Sequence, residues 1–129
     1  MVPLLRSIMA DSQAHFINID TIKEAKREIK KIGSDPKSIE IMAPKAVTKI
    51  IKIEKVILQD AIIIKQDMLS IGGEVAVPQN TFKLHDEMGD ILIIGSVRQL
   101  NDLVVKLDRH YSRLKKIAGK ISNLLKEIK

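Results

Sequence analysis

Apolar residues along this chain switch between two spacings, and the switches divide it into short strands and amphipathic helices. His15 to Ile19 (HFINI) alternate weakly and predict a short strand. Behind them Ile22, Ala25, Ile29 and Ile32 recur at helical intervals, Thr21 and Glu24 have capping-box spacing, and Gly33 supplies a left-handed stop. A first helix is therefore expected over residues 21 to 32. Its outer face carries Lys23, Lys26, Arg27, Lys30 and Lys31, the pattern of a solvated face more than of a binding patch. Ser34 to Ser38 (SDPKS) is turn chemistry, with Pro36 disfavouring helix at Asp35. The following IEIMAPKAV, residues 39 to 47, predicts a loop or short irregular element, because Pro44 cannot sit inside a central strand.

From Thr48 to Val56 the Lys/Ile alternation and β-branched residues predict a strand with one face toward water. Ile57, Ala61, Ile64, Met68 and Ile71 then form a helical stripe over residues 57 to 71, widened by Leu58, Ile62 and Leu69 and stopped by Gly72 and Gly73. Ile63 falls on the polar side of that helix. Glu74 to Val77 predicts a short strand broken by Pro78, Thr81 to Leu84 a second extended run before the loop HDEMGD, and Asp90 to Ile94 (DILII) a strand buried on both faces.

From Val97 the apolar positions step by threes and fours through Leu100, Val104, Leu107, Tyr111, Leu114, Ala118, Ile121, Leu125 and Ile128, a heptad ladder. As one helix it would run roughly 45 to 50 Å at about 1.5 Å per residue, longer than the sheet of so small a domain. Residues 97 to 128 are therefore either a long helix seeking a partner or a helix pair broken near Arg109 to Ser112 and folded back. Under the partner reading Leu100, Val104, Leu107, Tyr111, Leu114, Ile121, Leu125 and Ile128 form a homo-oligomer interface.

These elements, in 129 residues, make one domain, residues 1 to 129. The expected fold is α+β, a two-layer sandwich of a small mixed sheet and long helices, with a ferredoxin-like packing as one candidate arrangement. The chain is 45% hydrophobic but only 2% aromatic, so the core is aliphatic and no array of rings exists to stack nucleic-acid bases. A net charge of +6 favours polyanions. The Lys- and Glu-rich, Cys-free composition also suits a thermophilic source, which makes nucleic-acid binding the weaker explanation of the charge. With no Cys, thiolate catalysis, disulfides and Cys-based metal sites are excluded. The opening MVPLLRSIMA is too short and mixed for a signal peptide or membrane span, so a cytoplasmic protein is expected.

Catalytic constellations are not visible. His15, His85 and His110 lack ligand spacing, and the acidic HDE run at His85 to Glu87 suits a solvated loop better than a cation site. No metal and no cofactor are expected. The Gly72–Gly73 pair follows a helix where a phosphate-cradling loop precedes one, and Ser70, Ser96 and Ser112 lack an elbow motif. Lys45, beside Pro44, is the most suggestive single residue, since an ammonium can hold a phosphate or carboxylate.

Two segments, IEIMAPKAV at residues 39 to 47 and KQDMLSIGGEVAV at residues 65 to 77, together with the later DILIIGSVRQLNDLV and LKKIAGKI, resemble the amino-terminal extension that precedes the barrel in some dihydropteroate synthases and related archaeal proteins. The likeness covers roughly residues 21 to 125. It implies a link to pterin biosynthesis, of folate or of a methanopterin-type coenzyme, and a stand-alone accessory or ligand-binding module with no catalytic activity by itself. The synthase reaction needs a (β/α)₈ barrel of about 250 residues, which this length cannot hold. The residues in matching motifs give the ligand-binding candidates Met42, Pro44, Lys45, Gln66, Ser70, Gly72 and Gly73. Expected partners are a second copy, another protein or a pterin-related small molecule, without nucleic acid or membrane. A competing expectation is a basic oligomerisation or nucleic-acid-associated module. Pro and Gly, expected from the family pattern at Arg109 to Arg113 (RHYSR), are absent.

Overall fold

In a computed structural model, residues 11–79, 81 and 87–129 are described. The elements run α1 (Ile22–Lys31), α2 (Pro36–Ala46), β1 (Thr48–Ile57), α3 (Leu58–Ser70), β2 (Glu74–Ala76), β3 (Met88–Ser96), α4 (Val97–Leu107) and α5 (Ser112–Leu125). Three strands form one sheet in the order β1–β3–β2, with Thr48 opposite Ser96, Ile51 opposite Ile93 and Glu74 opposite Ile94. The α+β class and the two-layer arrangement hold. The sheet, however, is antiparallel throughout where a mixed one was expected: β1 and β2 run parallel, but β3 is threaded between them. The β1–α3–β2–β3–α4 run has the connectivity of a split βαβ unit, the motif of ferredoxin-like folds.

The helices cover one face of the sheet. Ile51, Val56, Val75, Ile91 and Ile93 meet Ala61, Ile64 and Met68 of α3, Leu100, Leu103 and Leu107 of α4, and Leu114, Ile117 and Ile121 of α5. Among the described residues the other face stays open, with Leu92 38% and Ile50 63% exposed, so the DILII strand is buried on one face and not on both. Being central, β3 needs apolar residues on both sides of the pleat less than it needs two hydrogen-bonded neighbours. Ile63, expected on a polar side, packs against this same core.

Helix α1 starts as its sequence predicts: Thr21 Oγ1 accepts from Glu24 N at 3.0 Å, and Gly33 takes φ +85° beyond the last turn. Residues 15 to 19 form no strand, because no neighbouring chain pairs with them. The segment expected to be irregular, 39 to 47, is instead the body of α2. Asp35 caps it, Oδ1 accepting from Lys37 N at 2.8 Å, and Pro36 stands at the first helical position, where a missing N–H costs nothing. Pro44 falls in the last turn, where the carbonyl it leaves unbonded belongs to exposed Glu40 and can hydrate. Ala25 of α1 packs with Ala43, Val47 and Val97 in a second, smaller core.

The C-terminal ladder breaks. Residues 108 to 111 separate α4 from α5, and α5 folds back on its own domain. Leu100, Leu107, Leu114 and Ile121 are fully buried in the chain's own core, and Val104 and Leu125 pack against it. Ile128 joins the smaller core and Tyr111 turns to α3. Of the two readings of the ladder, the helix pair folded back is the one found, and most of its apolar residues are covered within the chain itself. The expected run at residues 82 to 84 and His85 lie outside the described residues; Thr81 sits in a turn, its N–H donating to Pro78 O at 3.1 Å. No helix among the described residues is long and apolar enough to cross a membrane.

Candidate functional site

Because β3 runs opposite to both neighbours, its C-terminal end lies beside the N-terminal ends of β1 and β2. Helix α4 begins there as well. At this meeting point opens a broad cleft of about 800 Å³, lined by Lys45, Thr48, Ile71, Gly72, Gly73, Glu74, Ile94, Gly95, Ser96, Arg98, Gln99 and Asp102. Lys45 reaches it from the last turn of α2, whose junction with β1 is tied to α4 by Val97 N donating to Val47 O at 2.8 Å.

Gln99 organises the cleft. Its Oε1 accepts from Ser96 N at 2.9 Å, and Ser96 Oγ accepts from Gln99 N at 3.1 Å, a complete capping box. Its Nε2 donates to Ile71 O at 3.3 Å, which clamps the turn after α3 to the start of α4. Gly72 is held in the left-handed region, φ +91°, where a side chain would be strained. Gly73 and Gly95 are required for another reason. A Cβ on either would collide with the buried Met68 side chain, and one on Gly73 would also sit 3.0 Å from Ile94 O.

Charge in the cleft is partly cancelled. Arg98 Nε faces both oxygens of Asp102 at 3.2 and 3.3 Å, and Lys65 Nζ lies 3.0 Å from Glu74 Oε1. That contact from Lys65, with the Val75 amide, holds the Glu74 carboxyl below the ordinary carboxylate range. Lys45 makes no ion pair among the described residues. Of the first amides of α4, Val97 N and Gln99 N are engaged, while Arg98 N has no side-chain or cap partner among the described residues. The cleft can therefore hold an anionic group against Lys45 and Arg98, with hydroxyls from Thr48 and Ser96 and apolar contacts from Ile71 and Ile94.

Of the residues singled out from sequence, Lys45, Gly72 and Gly73 meet at this cleft. Met42 and Pro44 are half-buried on α2, and Gln66 and Ser70 are exposed on α3, Ser70 Oγ donating to Asp67 O at 2.6 Å; none of these four lines it. Thr48, Ser96, Arg98 and Gln99 were missed. The Ser96-x-x-Gln99 spacing was the signal that could have found two of them.

A second polar cluster serves the fold. Asp60, 2% exposed in the first turn of α3, receives Arg113 Nε at 2.7 Å, Arg113 Nη2 at 3.0 Å and the Tyr111 hydroxyl. Burial pushes the Asp60 carboxyl up, but the bonds from Arg113 and Tyr111 together outweigh it and bring it below its usual value. Burial, and then Asp60 itself, push the Tyr111 phenol up. Next to this cluster His110 Nε2 lies 2.9 Å from Asp67 Oδ2. The residues RHYSR thus break the C-terminal helix without Pro or Gly, by anchoring the break to α3. His15 is exposed, and no group of three or more potential metal ligands occurs among the described residues. The basic face of α1 is partly neutralised by Lys26–Glu40 and Lys31–Glu28, each at 3.0 Å.

No family model matches the chain, and no solved structure matches it. A bifunctional dihydropteroate synthase/dihydropteroate reductase from Helicobacter pylori (strain ATCC 700392 / 26695) is 30% identical to it over 110 residues. That stretch is 85% of this chain and 28% of the relative, so the chain is similar to little more than a quarter of the length of the protein it matches.

Proposed function

We propose that this chain is an accessory, ligand-binding module of pterin biosynthesis, and that the cleft at Lys45, Gly72 and Gly73 takes the anionic end of a pterin-derived ligand. The observation that carries the reading is convergence. Lys45, from the first motif segment, and Gly72 and Gly73, from the second, line one cleft, although the first segment lies on α2 and the second spans the end of α3, the turn after it and β2. The cleft's volume is within the roughly 300–1,000 Å³ of small-molecule sites. The Helicobacter relative, by its name, acts on pterins. The synthase half of that name asks for a barrel of about 250 residues, more than the 110 that match.

Calorimetric titration with a dihydropterin pyrophosphate, an aminobenzoate and dihydropteroate tests this. Saturable binding of a pterin compound is expected, weakened about tenfold, or 1.4 kcal/mol, by Lys45→Ala. Silence toward all three compounds removes the reading.

The relative's two activities favour a second reading. If the barrel carries the synthase, the matched quarter is free to serve the reductase. Reduction of dihydropteroate takes a hydride from a nicotinamide or flavin donor and a proton from solvent. With NADPH or a reduced flavin supplied, donor oxidation that depends on added dihydropteroate is the expected result; donor consumption no faster than without it leaves binding alone.

A further inference from the structure

The chain carries a second concave surface, remote in kind from the cleft and independent of the pterin reading. Among the described residues strand β1 is an edge of the sheet, bonded to β3 on one side only. Along its free side runs a groove whose opposite wall is α5. Three adjoining hollows make it up, of about 240, 470 and 140 Å³. The first two share Lys52 and Leu124, and the last two share Ile53, Glu54 and Lys120, so they form one trough. Its strand wall spans residues 49 to 57, about 25 to 30 Å at about 3.3 Å per residue. The floor is apolar, and Leu124 remains 43% exposed at its rim.

We propose that this groove receives an extended, acidic segment of a partner protein, which adds a strand to β1. Two observations select that occupant. Alternate residues of an edge strand direct N–H and C=O groups outward, and an extended chain is what pairs with them. The walls are also predominantly basic: Lys49, Lys52 and Lys55 on the strand and Lys120 on the helix, against Glu54 and Glu127, while Arg113 and Asp60 at the far end pair with each other and Lys52 has only a long contact, 4.0 Å, to Asp90. A second copy of this chain is the poorer fit, because two β1 edges would set lysines against lysines. The irregular register between Ile53 and Val56, with Lys55 at φ +56° and its N–H turned to Asp90 Oδ1 at 3.1 Å, further unsuits that end for self-pairing.

The probe is a fluorescein-labelled short peptide alternating Glu and Val, followed by anisotropy with the full chain, with amide hydrogen exchange of β1 in parallel. Saturable binding is expected, with slower exchange of β1 amides. Alternate N-methylation of the peptide, which removes its pairing donors, weakens binding at least about tenfold. Charge reversal of the exposed pair, Lys52→Glu with Lys120→Glu, does the same and shifts preference to a Lys/Val peptide, with an unchanged circular dichroism spectrum as the check on folding. Absence of binding, equal affinity for the N-methylated peptide, or a sedimenting dimer that itself protects β1 would each overturn the proposal.

Discussion

Arg113 grips Asp60 at two points, Nε to Oδ2 at 2.7 Å and Nη2 to Oδ1 at 3.0 Å, and so joins the start of α5 to the start of α3. With the Tyr111 hydroxyl on the same carboxylate, these bonds together tie the helix break and the start of α5 to α3. Asp60→Ala removes all of them at once. We expect a loss of about 1–3 kcal/mol, the range for hydrogen bonds to a charged group whose partners return to water. Tyr111→Phe is expected to cost about 1 kcal/mol. Urea unfolding followed by circular dichroism checks both.

The same cluster makes stability depend on pH at both ends of the scale. The folded Asp60 carboxyl titrates below its unfolded value of about 3.9, so the unfolded chain takes up that proton first. Its contribution is present above about pH 4 and is lost as pH falls through the lower, folded value. Tyr111 runs the other way: its phenol is raised above the unfolded value of about 10, so its contribution is present below that pH and disappears as pH rises through the folded value. Urea midpoints measured from acid to alkaline pH should fall at both ends. Asp60→Asn should flatten the acid limb, and Tyr111→Phe the alkaline one.

Gln99 is expected to matter to both the fold and the cleft. Gln99→Ala removes the reciprocal cap and the clamp on Ile71, at a cost of about 1–2 kcal/mol. Ser96→Ala loses the cap alone, about 1 kcal/mol. Hydrogen exchange separates them: amides at Ile71 to Gly73 should exchange faster in Gln99→Ala than in Ser96→Ala. Equal acceleration would show that the clamp contributes nothing beyond the cap.

Lys45→Ala should leave the urea midpoint within the scatter of a surface substitution, about 0.5 kcal/mol, because the side chain is exposed and makes no ion pair among the described residues. A large loss of stability would assign Lys45 to the fold and withdraw it from the cleft.

Much of the fold was legible from spacing. The strand at 48 to 56, the helix at 57 to 71 and the first helix appear within a residue or so of their expected ends, because each carries a clear period and a clear stop. Pro36 and Pro44 misled: a proline at the first helical position and another in the last turn are compatible with helix, and Asp35 supplies the cap that makes the start favourable. The break in the C-terminal ladder was open from sequence because its cause is not local. Asp60 lies within an apolar stripe some fifty positions away from Tyr111 and Arg113, and only the folded chain sets them together. At the cleft, Lys45 was singled out by its ammonium beside Pro44 as well as by likeness to a family, and the glycines as ligand candidates by that likeness, whereas Thr48 and Arg98 owe their place to strand order, which no periodicity encodes.

Met68, wedged between the backbones of Gly73 and Gly95, ties three positions into one lineage of change. A methyl group gained at either glycine has to be matched by room given up at the methionine, so in diverging descendants of this chain the three should drift together: a smaller residue at position 68 relieves the closest clash of an alanine at 95, and at 73 leaves only the tight approach to Ile94 O to be absorbed.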